Sequence, residues 1–493
     1  MSPAPAASLR TRVLRGAAWN FVATAVRGGA GFAVKLILAR LLLPEHFGLV
    51  GMATVFTGFV TTLNELGLGA ALIQRKDERL DPIHYDVAFW TTLASGAATF
   101  VVMTFVAAPF AARFYGEPLL EPLTVVLSIP LLLQPFALLY RIQLMRELDF
   151  RTIASVEAIA VTASGSIAVA VALAGGGVWS IACQSIVSTA VSIPLLRRAR
   201  PWTPRACFSW TALREIAGFG VYVAGNNVFT FLAGNIDYLL IGKMLGSGAL
   251  GAYSLAFVLV ESLRNRLIRV LDGVMYPAYS RMQDEPAHLK RYYLTSIRFS
   301  AAAVFPLMTT LIVFAGPFVD HVVGPKWAAT EAPLRILAVS AMVYCVGGTS
   351  ASVLRGIGRP DLHFRIYVAK TLLITIPALV VGIRLAGING AALAVVAHLA
   401  ASRMIFQHYM RRFIGVTERE ILAAVAPAAA AGAALAAVGT LELAVWPPGG
   451  AVAVVVQALS SGAAYALVAG ALLRSELHGV WNDLRPRLLR RSA

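Results

Sequence analysis

Arg27 and Lys35 stand inside an otherwise apolar run near the start of the chain, in the company of Asn20 and Thr24. On a helix turning about 100° per residue, Asn20 and Arg27 lie about 20° apart, and so do Thr24 and Lys35. The run therefore carries a polar stripe with two cations. A cation held among hydrocarbon needs an anion, and a diphosphate group provides one. Lys35 also admits a second reading, a side chain that snorkels to the interface a turn or two from Pro44.

A second stripe is written by Asn226, Asn227, Thr230, Asn235 and Asp237. Asn226 and Asp237, eleven residues apart, again fall about 20° apart on one face. Asp237 has three readings: a partner for Arg27 or Lys35, an acid that takes up a proton or cation, or a carboxylate fixed near a helix end. Glu261, Arg264, Asn265, Arg266, Arg269 and Asp272 follow on one segment. Glu261 with Arg264, and Arg269 with Asp272, have the i,i+3 spacing of ion pairs. Such a segment lines a hydrated vestibule or emerges from the membrane as a solvated helix end. Glu261 and Asp272 join Asp237 as ion-coupling candidates. Lys370, roughly two turns into a later apolar run, is a further cation for a cavity.

These side chains are carried by fourteen hydrophobic segments. We place them near 16–42, 46–68, 85–108, 119–140, 153–174, 177–196, 214–241, 249–273, 293–319, 333–354, 363–384, 388–410, 420–441 and 450–473. Each is about long enough to cross a bilayer. With 58% hydrophobic and 14% charged residues among 493, and a mean hydropathy of +0.73, the chain has too much apolar surface to hide in water. The expected class is an all-α integral membrane protein. Its formal charge of +17 lies in short loops and reports orientation, so no nucleic-acid partner is expected. Cys183, Cys207 and Cys345 are too few and scattered for a disulfide framework or a metal site. No cofactor is expected.

The arginines alternate. Arg75 and Arg79 follow the second segment, Arg141, Arg146 and Arg151 the fourth, and Arg197, Arg198 and Arg200 the sixth. The pattern continues to Arg485 and Arg487, while the intervening loops are nearly bare. That places both termini on the cytoplasmic side. An internal repeat is also present. Leu38–Leu42 and Phe47-Gly48-Leu49 match Ile241–Leu245 and Leu250-Gly251-Ala252 at a constant offset of 203, pairing Arg40 with Lys243 and Gly48 with Gly251. Leu148-Asp149-Phe150-Arg151 resembles Leu362-His363-Phe364-Arg365. Six segments separate the copies, so the two six-helix halves are parallel repeats, the plan of alternating-access transporters. Under the same offset, Thr230 aligns with Arg27. The expected domains are an N-terminal lobe at 1–200, a C-terminal lobe at 201–415, and two extra helices with a tail at 416–493.

The stretches 38–53 and 66–77, with Gly251–Ala256 and Pro277–Arg281, resemble the Wzx-type polysaccharide flippases of the multidrug/oligosaccharidyl-lipid/polysaccharide superfamily, nearest the colanic-acid and teichuronic-acid exporters. The resemblance spans essentially the whole chain. It implies a transporter of the bacterial cytoplasmic membrane that exports a polyprenyl-diphosphate-linked oligosaccharide to the outer leaflet. Membrane lipids, polysaccharide polymerase machinery and a proton or sodium ion are the further partners it raises. Two alternatives stand beside it. One is a cation-coupled multidrug antiporter, which would favour intramembrane acids over the basic first segment seen here. The other is a membrane-embedded polysaccharide-modifying enzyme, which lacks the long outer loop a polymerase would carry. No Gly-x-x-x-x-Gly-Lys loop is present, so ATP hydrolysis is not expected of this chain.

Overall fold

A computed structural model of the chain describes residues 28–64, 69, 72–73, 81–217, 220–283 and 285–489. Every regular element among them is helical. Packing divides the chain into two compact units, Met1–Gly251 and Ala252–Ala493.

The first unit holds residues 28–41 (α1) and Pro44–Asn64 (α2), then Pro82–Tyr115 (α3), Leu120–Arg146 (α4), Phe150–Leu173 (α5) and Trp179–Ala199 (α6). Trp210–Ala217 (α7), Gly220–Gly234 (α8) and the start of Ile236–Arg281 (α9) complete it. The second unit takes the rest of α9, then Pro286–Val313 (α10), Pro325–Gly356 (α11), Pro360–Ile414 (α12), Glu418–Val445 (α13) and Ala451–Leu489 (α14).

Among the described residues, 10 helices are long and apolar enough to cross a membrane. Two of them, Asn227–Asn265 and Pro360–Ile414, break at Gly246 and at Ala386–Gly387, and each covers two expected segments. With α1 and α2 in the places of the first two, each expected segment has a helix among its described residues. The breaks respect the repeat. The chain leaves helix at Leu43 between α1 and α2, and 203 positions later at Gly246. Gly246 has φ 87° and ψ −178°, a conformation that only glycine adopts cheaply.

Some expected helices are not continuous: 293–319 breaks at Phe314 and 333–354 at Gly348. Segment 214–241 is interrupted at Asn235. Its N–H turns to Leu232 O (3.2 Å), three residues back, and its side-chain amide donates to Phe231 O (2.8 Å). Its carbonyl accepts from Leu239 N–H (3.1 Å), and a new helix starts at Ile236. The angular relation of Asn226 to Asp237 therefore does not carry across the join.

Gly48 and Gly251, matched by the repeat, pack directly against each other. A Cβ on Gly48 would overlap the carbonyl of Ser247 and lie 3.0 Å from Gly251 N. A Cβ on Gly251 would overlap the carbonyl of Pro44 and lie 3.1 Å from Gly48 N. Pro44 and Ser247 are themselves related by the offset of 203, so the contact is reciprocal. Small residues alone allow two helix backbones to approach this closely. This packing explains why the motif keeps glycine at both places.

The link after α6 is strapped to the ends of α3 and α4. Asp86, 3% exposed, accepts from Arg205 N–H (3.0 Å), and Trp90 Nε1 donates to Arg205 O (2.8 Å). Tyr140 OH donates to Trp202 O (3.0 Å), and the Trp202 ring meets Phe89 edge-on. Replacing Asp86 by Ala leaves the Arg205 amide without its acceptor. We expect a loss of ~1–3 kcal/mol and earlier tryptic cleavage at Arg205, read by limited proteolysis of the purified protein.

In the second unit buried tyrosines close the core with their hydroxyls satisfied. Tyr279 OH meets Ser296 Oγ at 2.6 Å, and Tyr293 OH meets Ser350 Oγ at 2.8 Å. A capping box between Thr417 and Glu420 starts α13, and Lys290 of α10 pairs with Glu420 at 2.6 Å.

Candidate functional site

Asn20, Thr24 and Arg27 lie outside the described residues, as do the side chains of Asn226, Arg269 and Asp272. Lys35 is exposed on α1, and Thr230 is exposed on α8. Asp237 is 6% exposed in the first turn of α9 and accepts from Tyr238 N–H at 2.9 Å. A carboxylate is favoured there by the free amides of the helix start.

The second unit brings three candidates together. One turn of α9 presents Glu261, Arg264 and Asn265. Glu261 Oε2 accepts from the Arg264 guanidinium and from Asn265 Nδ2 (2.8 Å), so the expected i,i+3 ion pair forms. Arg264 is 9% exposed, and its Nε is buried without a hydrogen-bond partner. Its guanidinium carbon lies 4.0 Å from the centre of the Tyr344 ring. Ring face and carboxylate together offset the cost of burying the cation.

Tyr344 belongs to α11, and beyond its ring opens a cavity of about 120 Å³. His363, Tyr367 and Lys370 line it from the first limb of α12, and Ser402, Arg403 and Phe406 from the second. Lys370 Nζ sits 5.3 Å from the Tyr367 ring centre. His363 stacks between Tyr367 and Phe406, with centroids 6.3 Å and 6.0 Å away. Arg403 pairs with Glu418 at the start of α13. Directly after Lys370 the helix widens into a π turn, Thr371–Thr375. Such turns shift the register of side chains around functional positions.

Glu261, Arg264 and Lys370 are thus gathered around Tyr344. Tyr344, Tyr367, His363 and Arg403 were not singled out from sequence. The Tyr367–Lys370 spacing and a lone arginine at 403 within an apolar run were the available signals. The lining offers cations and ring faces and no acid. That chemistry suits an anion flanked by a flat or ring-shaped group, and the volume suits a head group of phosphate size.

The fold has solved counterparts. A MATE family transporter of the MOP superfamily, solved in an inward-facing conformation, matches 80% of this chain and 98% of its own with a TM-score of 0.61 at 16% identity. The lipid II flippase MurJ in an inward closed conformation matches 93% of this chain and 99% of its own, with a TM-score of 0.65 at 12% identity. The fold is therefore that of the MOP-type membrane transporters. By sequence, the chain is 28% identical over 392 residues to the lipopolysaccharide biosynthesis protein WzxC of Escherichia coli (strain K12), covering 78% of each protein. The chain belongs to the polysaccharide biosynthesis protein family, whose model matches residues 37–332.

Proposed function

We propose that the chain is a flippase that moves a polyprenyl-diphosphate-linked oligosaccharide from the cytoplasmic to the outer leaflet by alternating access. The observation that carries this reading is the cationic, aromatic cavity of Lys370, Arg403 and Tyr344, set within helices of membrane-spanning length. A diphosphate crossing hydrocarbon needs such a partner, and the two carboxylates nearby, partly buried Glu261 and exposed Glu418, are already held by arginines. Family membership and the fold shared with a lipid II flippase support the same substrate class.

The lobes of this transporter are 1–200 and 201–415, with 416–493 outside the repeat. Both termini face the cytoplasm of a bacterial inner membrane, as the alternating arginines favour. Coupling to a proton or sodium ion would fall to Asp237, Glu261 or Asp272, of which Glu261 is paired with Arg264. Arg27 and Lys35 of the first unit are further substrate-binding candidates. Polymerase machinery receives the product on the far side.

The test is translocation of a lipid-linked oligosaccharide in proteoliposomes, with leaflet exposure scored by an impermeant sugar-modifying enzyme. Wild type moves the lipid, and Lys370→Met loses at least about tenfold in rate, the equivalent of one charge-assisted hydrogen bond. Wild-type vesicles that move no lipid but expel a cationic drug overturn the reading in favour of an antiporter.

A further inference from the structure

A second cavity, of about 460 Å³, opens in the first unit between α4, α5 and α6, and none of the candidates above lines it. Its polar lining is Gln134, Arg141, Glu157, Ser188, Thr189 and Ser192. Arg141 of α4 pairs with Glu157 of α5 at 2.7 Å. The hydroxyls of Thr189 and Ser192 donate back along α6 to Ser185 O (3.2 Å) and Ser188 O (2.7 Å). Their lone pairs remain as acceptors. Gln134 is an exposed amide in the middle of an apolar helix.

This cavity has a counterpart. At a constant offset of 214, eight of its thirteen lining positions fall on lining positions of the cavity in the second unit. Pro130 matches Tyr344, Ile153 matches Tyr367, Val156 matches Lys370, Ser188 matches Ser402, Thr189 matches Arg403 and Ser192 matches Phe406. The same offset joins Leu148–Arg151 to Leu362–Arg365. The repeat has therefore built one pocket twice, on the fourth, fifth and sixth segments of each half. The two copies have diverged in chemistry. Ring faces and cations in one are replaced by proline, aliphatic and hydroxyl side chains in the other. Glu157, which matches Thr371, balances the charge of Arg141.

A charge-balanced pocket does not concentrate an ion. It offers fixed donors and acceptors side by side, and a sugar hydroxyl is both donor and acceptor. Bonds to an intact Arg–Glu pair are charge-assisted and leave the pair in place. The volume falls in the range of ~300–1,000 Å³ typical of small-molecule pockets. We propose that the cavity of Gln134, Arg141, Glu157, Ser188, Thr189 and Ser192 is a sugar-binding site that reads hydroxyl groups of the oligosaccharide, while its repeat counterpart takes the anionic part. This inference rests on the flippase reading above.

The experiment measures equilibrium binding to full-length protein in nanodiscs. The probes are bare polyprenyl diphosphate and the same lipid carrying one glucosyl, galactosyl or N-acetylglucosaminyl residue. Wild type should hold at least one glycosylated form more tightly than the bare lipid. Gln134→Leu, and separately the isosteric Thr189→Val, should weaken that form by about tenfold and leave the bare lipid within about twofold. Variants that keep the full preference overturn the sugar site, leaving a merely hydrated cavity. Equal weakening for both lipids, or a wild type with no preference for any glycosylated form, overturns it too. If wild type binds neither bare nor glycosylated lipid, the flippase reading itself fails.

Discussion

Alanine at Gly48 is expected to cost the folded protein ~1–3 kcal/mol, because the new methyl group would overlap the carbonyl of Ser247 and force two helices apart. Alanine at Gly251 should cost a similar amount against the carbonyl of Pro44. The informative variant carries both. Once the first methyl has separated the backbones, the second finds room already made, so the double variant should cost less than the sum of the singles. Thermal unfolding of the purified proteins in one detergent reads all four corners of this cycle. Strict additivity would mean that the two glycines do not share one contact. Transport should fall in parallel with the first substitution.

Replacing Arg264 by Met is expected to be at least as damaging. It leaves Glu261 without its guanidinium inside the second unit, at a cost of ~3–5 kcal/mol, and strips the Tyr344 ring of its cation. Adding Glu261→Gln removes the stranded charge, and Asn265 Nδ2 can still donate to the new amide oxygen. Stability should then recover by most of the loss. Lipid translocation in proteoliposomes should not, because the cation beside the cavity is still gone. Recovery of both would make Arg264 a purely structural residue.

The architecture was largely legible because each segment announces itself by length, and every second one by the arginines that follow it. The break at Gly246 could be anticipated from the match of Leu43 to a glycine under the repeat. The join at Asn235 could not. An asparagine among apolar residues reads as part of a polar stripe, and only the structure reveals its amide standing in for a displaced backbone bond to Phe231. The Glu261–Arg264 pair needed only spacing along one helix. The Tyr344 ring beneath Arg264, and the shared cavity of Lys370 and Arg403, depend on contacts between segments far apart in sequence. The duplicated pocket was hidden for another reason. The repeat runs at an offset of 203 near Gly48 and 214 near Leu148, so no single alignment register covers both.

The reciprocity of Gly48 and Gly251 has a geometric corollary. Each backbone stands against a carbonyl of the other, Gly48 against Ser247 and Gly251 against Pro44, so neither helix can slide or close at this point without a clash. Pairs of spin labels at Pro44 and Ser247 should therefore keep a constant separation through the transport cycle. They would serve as the fixed origin against which pairs placed farther out on the same helices report displacement.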